Sequence, residues 1–292
     1  MRFLPNEAIL NAMSCPLCRQ SMSLRWANEG TSVSLVCSGG RTHCYDIASS
    51  GYVNLATPGH TDGGDSKEAV RARRDFLSLG LYEPAAKALA EALSRHAKEG
   101  VLIDAGCGEG YYSEHLAKEG FSVAGVDLSR PAVDAAAKRL ARAAVPHGFF
   151  GVASVYKLPF ADESASAVVN VFAPCAEQEF LRVLKPGGIL AVMYAGPDHL
   201  MGLKHAIYDS VHQNDGRADL PLHMKQIDEQ RVTFEIRVEG TEALLNLFAM
   251  TPYYWKTSRE DGEKLKKLSE LTTTVDMMIA IYQKDCETEG TK

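Results

Sequence analysis

From residue 101 onward, short apolar runs alternate with stretches whose apolar positions recur at helical spacing. The runs at 101–105, 122–126, about 147–152, 166–172 and 189–195 are near-continuously apolar, as expected of strands buried on both faces. Helices are predicted between them at 110–119, 131–143 and 176–184. Strands alternating with helices imply a parallel sheet with helices on both faces, an α/β architecture. Leu184-Lys-Pro-Gly-Gly188 reads as a turn that stops one helix and starts the fifth strand. Past 199 the pattern predicts a helix to about 212, a polar linker, a strand at 231–238, a helix at 241–250 and a strand at 273–283, the last two strands pairing as a closing hairpin. Upstream, 6–13 reads as a short helix, 67–79 as a helix broken by Gly80, and 84–98 as another. Residues 21–25 and 32–37 alternate as short strands around a turn at 28–30, and 57–66 is a polar linker. This divides the chain into a small module at 1–60, a helical linker at 61–100 and a large domain at 101–292. There are no internal repeats or low-complexity tracts.

Composition narrows the picture. At 292 residues, 46% hydrophobic and 23% charged, the chain has the make-up of a globular protein with one large domain and a smaller one. No apolar run approaches a membrane span, and the N-terminus lacks a basic-then-apolar leader, so a cytoplasmic location without a membrane partner is expected. The net charge of −6 gives no support for nucleic-acid binding, but it is uneven. Residues 1–100 carry 11 basic against 10 acidic residues, including a basic cluster of Lys67, Arg71, Arg73 and Arg74. Four of the seven cysteines, Cys15, Cys18, Cys37 and Cys44, lie within thirty residues, while Cys107, Cys175 and Cys286 are scattered. That clustering suits a metal better than a disulfide framework. The order C-x2-C-x18-C-x5-H fits tetrahedral zinc in a ribbon-like module, with either His43 or Cys44 as fourth ligand. Four protein ligands leave no position for a substrate water. The metal is then structural, and it supplies folding energy that so small a segment lacks.

The candidate chemistry centres on Val101-Leu-Ile-Asp-Ala-Gly-Cys-Gly-Glu-Gly-Tyr-Tyr112. A strand ends in Asp104, glycines follow at 106, 108 and 110, and a helix begins. Such a turn lets backbone approach a ligand, and the helix N-terminus offers unpaired N–H groups. A dinucleotide site wants G-x-G-x-x-G, but the third position here is Tyr111, which argues against a pyrophosphate crossing the turn. The spacing D-x-G-x-G-x-G is instead similar to the first motif of S-adenosylmethionine-dependent methyltransferases. A second strand ends in Asp127, where a carboxylate can accept both hydroxyls of a ribose or cap the helix before Pro131.

Further segments extend the likeness over nearly the whole chain. Cys15-Pro-Leu-Cys18, His43-Cys-Tyr-Asp46 with Gly51-Tyr-Val-Asn-Leu55, Asp65-Ser66 with Ala72-Arg-Arg74, Asn170-Val-Phe-Ala-Pro-Cys175, Gly196-Pro-Asp-His-Leu200 and Met250-Thr-Pro252 resemble the RlmA/TlrB-type 23S rRNA guanine-N1 methyltransferases. The resemblance implies a class I, Rossmann-like methyltransferase fold carrying an N-terminal zinc-ribbon-like module. It implies Zn2+ on Cys15, Cys18, Cys37 and His43. It implies S-adenosyl-L-methionine held by Tyr82, by Gly106, Gly108, Glu109, Gly110 and Tyr111 of the turn, by Asp127 and by His199. Ser154 stands where the wider methyltransferase pattern often has an adenine-reading Asp. The implied activity is methyl transfer to N1 of a guanine in a 23S rRNA hairpin, with a link to macrolide sensitivity, by a two-fold homodimer that grips RNA with the zinc module and the basic helix. No nucleophile is implied, and Asp198 and the 170–175 loop are candidates for a base by position alone. Two other readings are a small-molecule methyltransferase with a structural zinc module, whose segment 201–255 lines a closed apolar pocket, and a zinc-ribbon RNA-binding protein with an inactive methyltransferase domain. The separate zinc module with its basic helix disfavours the first, and the intact glycine turn with Asp127 disfavours the second.

Overall fold

The computed structural model describes residues 3–27, 30, 32–57, 64–215 and 220–286. A short helix α1 (Glu7–Ala12) starts where the Asn6 side chain accepts the Ile9 N–H at 2.9 Å, satisfying one of the orphan donors of its first turn. Strands β1 (Met22–Ala27), β2 (Ser32–Cys37) and β3 (Cys44–Asp46) form a three-stranded antiparallel sheet. The expected turn at 28–30 falls mostly outside the described residues, as does the middle of the linker at 57–66 and the expected module boundary at residue 60. The next strand, β4 (Tyr52–Asn54), pairs parallel with a strand of the large sheet and forms its edge.

Helices α2 (Lys67–Leu77) and α3 (Glu83–His96) lead into β5 (Val101–Ala105), α4 (Tyr111–Lys118), β6 (Ser122–Asp127), α5 (Arg130–Ala143), β7 (Gly148–Val152), β8 (Ala165–Val171), α6 (Glu177–Val183) and β9 (Leu184–Ala195). There follow α7 (Met201–Ile207), β10 (Lys225–Glu239), α8 (Thr241–Ala249), a 3-10 turn (Pro252–Trp255), α9 (Arg259–Leu265) and β11 (Glu270–Gln283). The large sheet has the order β10-β11-β9-β8-β5-β6-β7-β4. β11 runs antiparallel to both its neighbours, while β4 to β9 are parallel. Every residue of β5, β7 and β8 is buried, as continuous apolar runs require. The core on one face is built by helices, among them Phe76 of α2, Leu89 of α3, Leu116 of α4, Val133 of α5 and Leu244 of α8. On the other face Ile9 of α1, Leu35 of β2 and Phe180 of α6 join a second core with Val168 and Leu190 of the sheet. The cysteine-bearing segment is thus a packed layer of the molecule. No helix among the described residues is long and apolar enough to cross a membrane.

Three expectations change. Leu184–Gly188 does not stand outside the sheet. β9 begins at Leu184 opposite Ala165, then the register jumps so that Ile189 faces Ala167. Lys185–Gly188 is therefore a bulge, since Pro186 has no N–H to give a ladder and Gly187 takes φ +73°. The helix expected over 199–212 spans only Met201–Ile207. Leu200 is left-handed, His199 is held back by a hydrogen bond to β11, and beyond Tyr208 the Lys204 Nζ donates to the His212 carbonyl at 3.0 Å, turning the chain back. β10 and β11 pair antiparallel with α8 between them, as expected, but β10 already begins at Lys225, and a 3-10 turn and α9 follow α8 before β11.

Candidate active site and metal centre

The strand order reverses beside β5, with β6 and β7 to one side and β8 and β9 to the other. At such a switch point the connections at the carboxyl ends of the strands diverge and leave a crevice. Here the crevice is a cleft of about 710 Å³. It is lined by Gly106–Glu109 after β5, Asp127 at the end of β6, Ser154–Tyr156 after β7, Phe172–Pro174 after β8 and His199 after β9. Asp65, with Ala69, Arg73 and Leu77 at four-residue spacing on α2, closes one side, and Ala249–Tyr253 with Trp255 the other.

The glycine turn is wedged. Gly106 takes φ +88°, and a Cβ there would lie 2.4 Å from the Ala173 Cβ. Gly110 takes φ +82° as N-cap of α4, and its Cβ would lie 2.7 Å from that of Ala136 on α5. Gly110 therefore serves the packing of turn on helix and is not among the cleft-lining residues. Asp127 accepts the Gly108 N–H at 3.0 Å on one oxygen and the Ser129 N–H at 2.8 Å on the other, which fixes its plane toward the cleft. Burial pushes its carboxyl above the usual range, opposed by those two N–H groups. Asp104, beneath the turn, accepts the Ser113 hydroxyl at 2.5 Å, and burial pushes its carboxyl up to about 7. Glu109 is 1% exposed, and its carboxylate is paired with Arg139 of α5 at 2.6 Å, a cation shared with Glu114 at 3.0 Å. Burial raises Glu109 and the guanidinium opposes it, so this pair ties the turn to α5. Ser154 is buried and accepts the Tyr156 N–H at 3.2 Å.

Tyr82 and Tyr111 line the same cleft, and both hydroxyls are buried with no hydrogen-bond partner among the described residues. A buried hydroxyl left so costs about 1–3 kcal/mol, which a polar ligand in the cleft would recover. His199 lies edge-on to Tyr82 with centroids 6.4 Å apart. Its Nδ1 accepts the Asp276 N–H at 3.2 Å, so the ring proton sits on Nε2. Burial holds its pKa down at about 4, and the ring is neutral at pH 7. Asp276, fully buried, accepts Arg231 at 2.7 and 2.8 Å, the Thr233 hydroxyl at 3.0 Å and the Asp198 N–H at 2.9 Å, strapping the His199 loop to β11. The Asp198 carboxylate is engaged by Arg231 and Gln213, each at 2.8 Å, and is not part of the cleft lining. The Asn170 amide donates to the carbonyls of Ala105 and Pro174. The Asp198 carboxylate and the Asn170 amide are thus both already engaged, while Phe172–Pro174 of the same loop line the cleft.

The cysteine-rich segment folds into a compact donor cluster. The ligand atoms of Cys15, Cys18, Cys37 and His43 all lie within 4.8 Å of one another. Zinc bond lengths near 2.3 Å to sulfur and 2.0–2.1 Å to nitrogen put tetrahedral S···S at roughly 3.8 Å and S···N at roughly 3.6 Å. The observed separations are 3.6 Å for Cys18–Cys37, 3.5 Å for Cys15 to His43 Nδ1 and 3.4 Å for Cys37 to His43 Nδ1. The His43 N–H donates to the Cys37 sulfur at 3.1 Å and is the main reason that thiol is pulled down to about 6. Cys44 stands apart, exposed, with Arg25 donating to its sulfur at 3.2 Å.

Comparison with known proteins decides the family. The methyltransferase domain family matches residues 103–192. The chain is 30% identical to the 23S rRNA (guanine(748)-N(1))-methyltransferase of Streptomyces fradiae, over 94% of this chain and 95% of that one. It is also 30% identical to a provisionally named 23S rRNA (guanine-N(1)-)-methyltransferase of Micromonospora griseorubida, over 94% and 98%, and to another of Bacillus subtilis, over 92% and 96%. The chain belongs to the 23S rRNA guanine-N1 methyltransferase family. In this methyltransferase the cleft brings together Tyr82, Gly106, Gly108, Glu109, Tyr111, Asp127, Ser154 and His199 from five separate connections. Arg73, expected only as part of a basic surface cluster, turns inward, ion-pairs with Asp65 and lines the cleft. The four-residue spacing of Ala69, Arg73 and Leu77 was a signal for that inward face. Arg139 and Asp276, which hold the site's walls, carried no motif.

Proposed function

We propose that this methyltransferase transfers the methyl group of S-adenosyl-L-methionine to N1 of a guanine in 23S rRNA. The observation that carries the reading is the cleft itself: an oriented Asp127 and two buried, partnerless tyrosine hydroxyls beside a glycine turn, in a chain collinear with N1-guanine methyltransferases. When bound, S-adenosyl-L-methionine supplies a methyl group on a cationic sulfur, open to in-line displacement. Asp127 would hold the ribose hydroxyls and Ser154 would face the adenine. Tyr82, the Gly106–Tyr111 turn and the neutral His199 Nε2–H would hold the remaining polar groups. Fixing the donor in this way supplies much of the rate through orientation.

Guanine N1 lies on the Watson–Crick edge, so the acceptor must enter unpaired. Exposed Lys67 and Arg71, with half-buried Arg74, on α2 would contact phosphates beside the cleft. The Cys15, Cys18, Cys37 and His43 cluster would hold structural Zn2+, which the separations above fit and which leaves no open coordination position.

The test is methyl transfer from labelled S-adenosylmethionine to 23S rRNA of a strain lacking this protein, with the product mapped by primer extension. N1-methylguanine blocks pairing, so a new stop at one guanine is expected, and guanine 748, the position in the Streptomyces relative's name, is the first to inspect. Donor binding with no labelled RNA would overturn the reading.

A further inference from the structure

The mouth of the cleft differs in kind from its floor. Of the exposed aromatic rings Trp26, Tyr156, Phe172, Tyr254 and Trp255, three line this one cleft: Tyr156 at 64% exposure, Phe172 at 50% and Trp255 at 76%. Large apolar rings left in water at a concave site mark a surface that a ligand covers.

Two of the rings are held in place. Phe172 follows β8 with φ +50°, a left-handed conformation that is costly for a residue with a bulky side chain. Its N–H is anchored to the Met193 carbonyl at 3.1 Å. Its ring lies tilted by 33° against His199, centroids 5.8 Å apart, and the next residue, Ala173, is the one wedged against Gly106 of the donor turn. The strained backbone thus sets a half-exposed ring at the border between donor end and solvent, and core packing does not account for it. Trp255 ends a ladder of rings. Buried Phe248 packs on Tyr254 at 5.4 Å, and Tyr254 stands edge-on to Trp255 at 5.2 Å and 87°. The ladder roots in the core of α8 and carries the indole out to the cleft mouth.

We propose that Phe172 and Trp255 are base-stacking platforms for the RNA strand, Phe172 for the guanine that reacts and Trp255 for a neighbouring nucleotide. The assignment rests on the rRNA reading above. A base drawn out of its stack loses its neighbours' π-faces, and an aromatic side chain replaces them without reading sequence. The phosphate contacts of α2 lack that planar recognition, and the cleft floor is occupied by groups suited to the donor. The two rings therefore supply what the charged surface does not: they hold the flat face of the base and leave its N1 edge toward the donor turn.

The experiment uses the full-length protein and a 23S hairpin RNA, with F172A, F172Y, W255A and W255F. Loss of one stacked base corresponds to roughly 5- to 150-fold. F172A is expected to lower kcat/KM for RNA by that range, with donor Kd within about two-fold of wild type and F172Y restoring most of the rate. W255A is expected to raise KM for RNA more than it lowers kcat, with W255F intermediate. With 2-aminopurine at the target position, stacking quenches fluorescence, so the F172A complex should be brighter than wild type. Both rings are exposed, so melting temperatures should not move. Wild type that labels RNA while F172A and W255A stay within about two-fold of it overturns the stacking assignment alone. An equal loss of donor affinity in F172A overturns it too, by making Phe172 part of the donor site. Wild type that binds donor and leaves RNA unlabelled overturns the rRNA reading first, and this one with it.

Discussion

Replacing Asp104 by Asn should make stability less sensitive to pH, and above neutrality it should raise it. Asp104 is fully buried, and its carboxyl is pushed up to about 7, first by burial and further by the Asp127 charge, against the Ser113 hydroxyl that favours the ionised form. Against an unfolded value near 3.9, that difference is worth about 4 kcal/mol once both states are ionised. The folded protein holds this proton to higher pH than the unfolded chain does. The contribution is therefore most favourable below about pH 4, is lost as pH rises toward 7, and levels off beyond. Between pH 5.5 and pH 8 the wild type should lose roughly 2 kcal/mol from this group. Asparagine has no such loss and can still accept from Ser113, but its amide leaves a buried donor without a partner, a cost of about 1–3 kcal/mol at every pH. D104N is thus expected near parity with wild type or slightly below it at pH 5.5, and about 1–3 kcal/mol more stable at pH 8. Urea unfolding of the donor-free protein at the two pH values measures both differences. A stability gap between variant and wild type that stays constant from pH 5.5 to 8 would refute the reasoning, because it would mean that Asp104 does not titrate in that window. Methyl transfer by D104N should fall even where its stability rises, since Asp104 lines the cleft beneath the donor turn.

Asp127→Ala should weaken S-adenosylmethionine binding by roughly 10- to 150-fold, the worth of a charge-assisted hydrogen bond, with RNA affinity little changed. Calorimetric titration that finds unchanged donor affinity removes Asp127 from the site. Gly110→Ala should cost about 2–4 kcal/mol in urea unfolding, combining a left-handed backbone with a Cβ driven against Ala136; a loss under about 0.5 kcal/mol would mean that the turn relaxes freely. His43→Ala should lower bound zinc per chain and the melting temperature of the whole protein, because Cys15 and Cys37 share a core with the large sheet. Cys44→Ser should leave zinc content unchanged, and metal analysis showing the reverse order would transfer the fourth ligand to Cys44.

Period and spacing along the chain carried much of the fold. Buried parallel strands must be apolar on both faces, so 101–105 and 166–172 announced themselves, and a turn at φ > 0 wedged between α5 and the connection that follows β8 admits only glycine, so Gly106 and Gly110 stood out. The C-x2-C pair was equally local, since two thiolates must face one ion. Tertiary structure decided what local spacing cannot express. Residue spacing left His43 and Cys44 equal, and the resemblance alone preferred His43; the fold brings the His43 ring among the three sulfurs and turns Cys44 to the surface. Tyr82 and His199 lie more than a hundred residues apart, and only the resemblance singled them out; they meet because the sheet order places the end of β9 near the start of α3. A basic cluster of four read as one surface, whereas the helix turns Arg73 into the cleft and leaves Arg71 and Arg74 outside, both against Asp75. The sequence states which groups are present and their local geometry. Which of them converge on one volume depends on strand order and helix rotation, and those are fixed only when the two cores close.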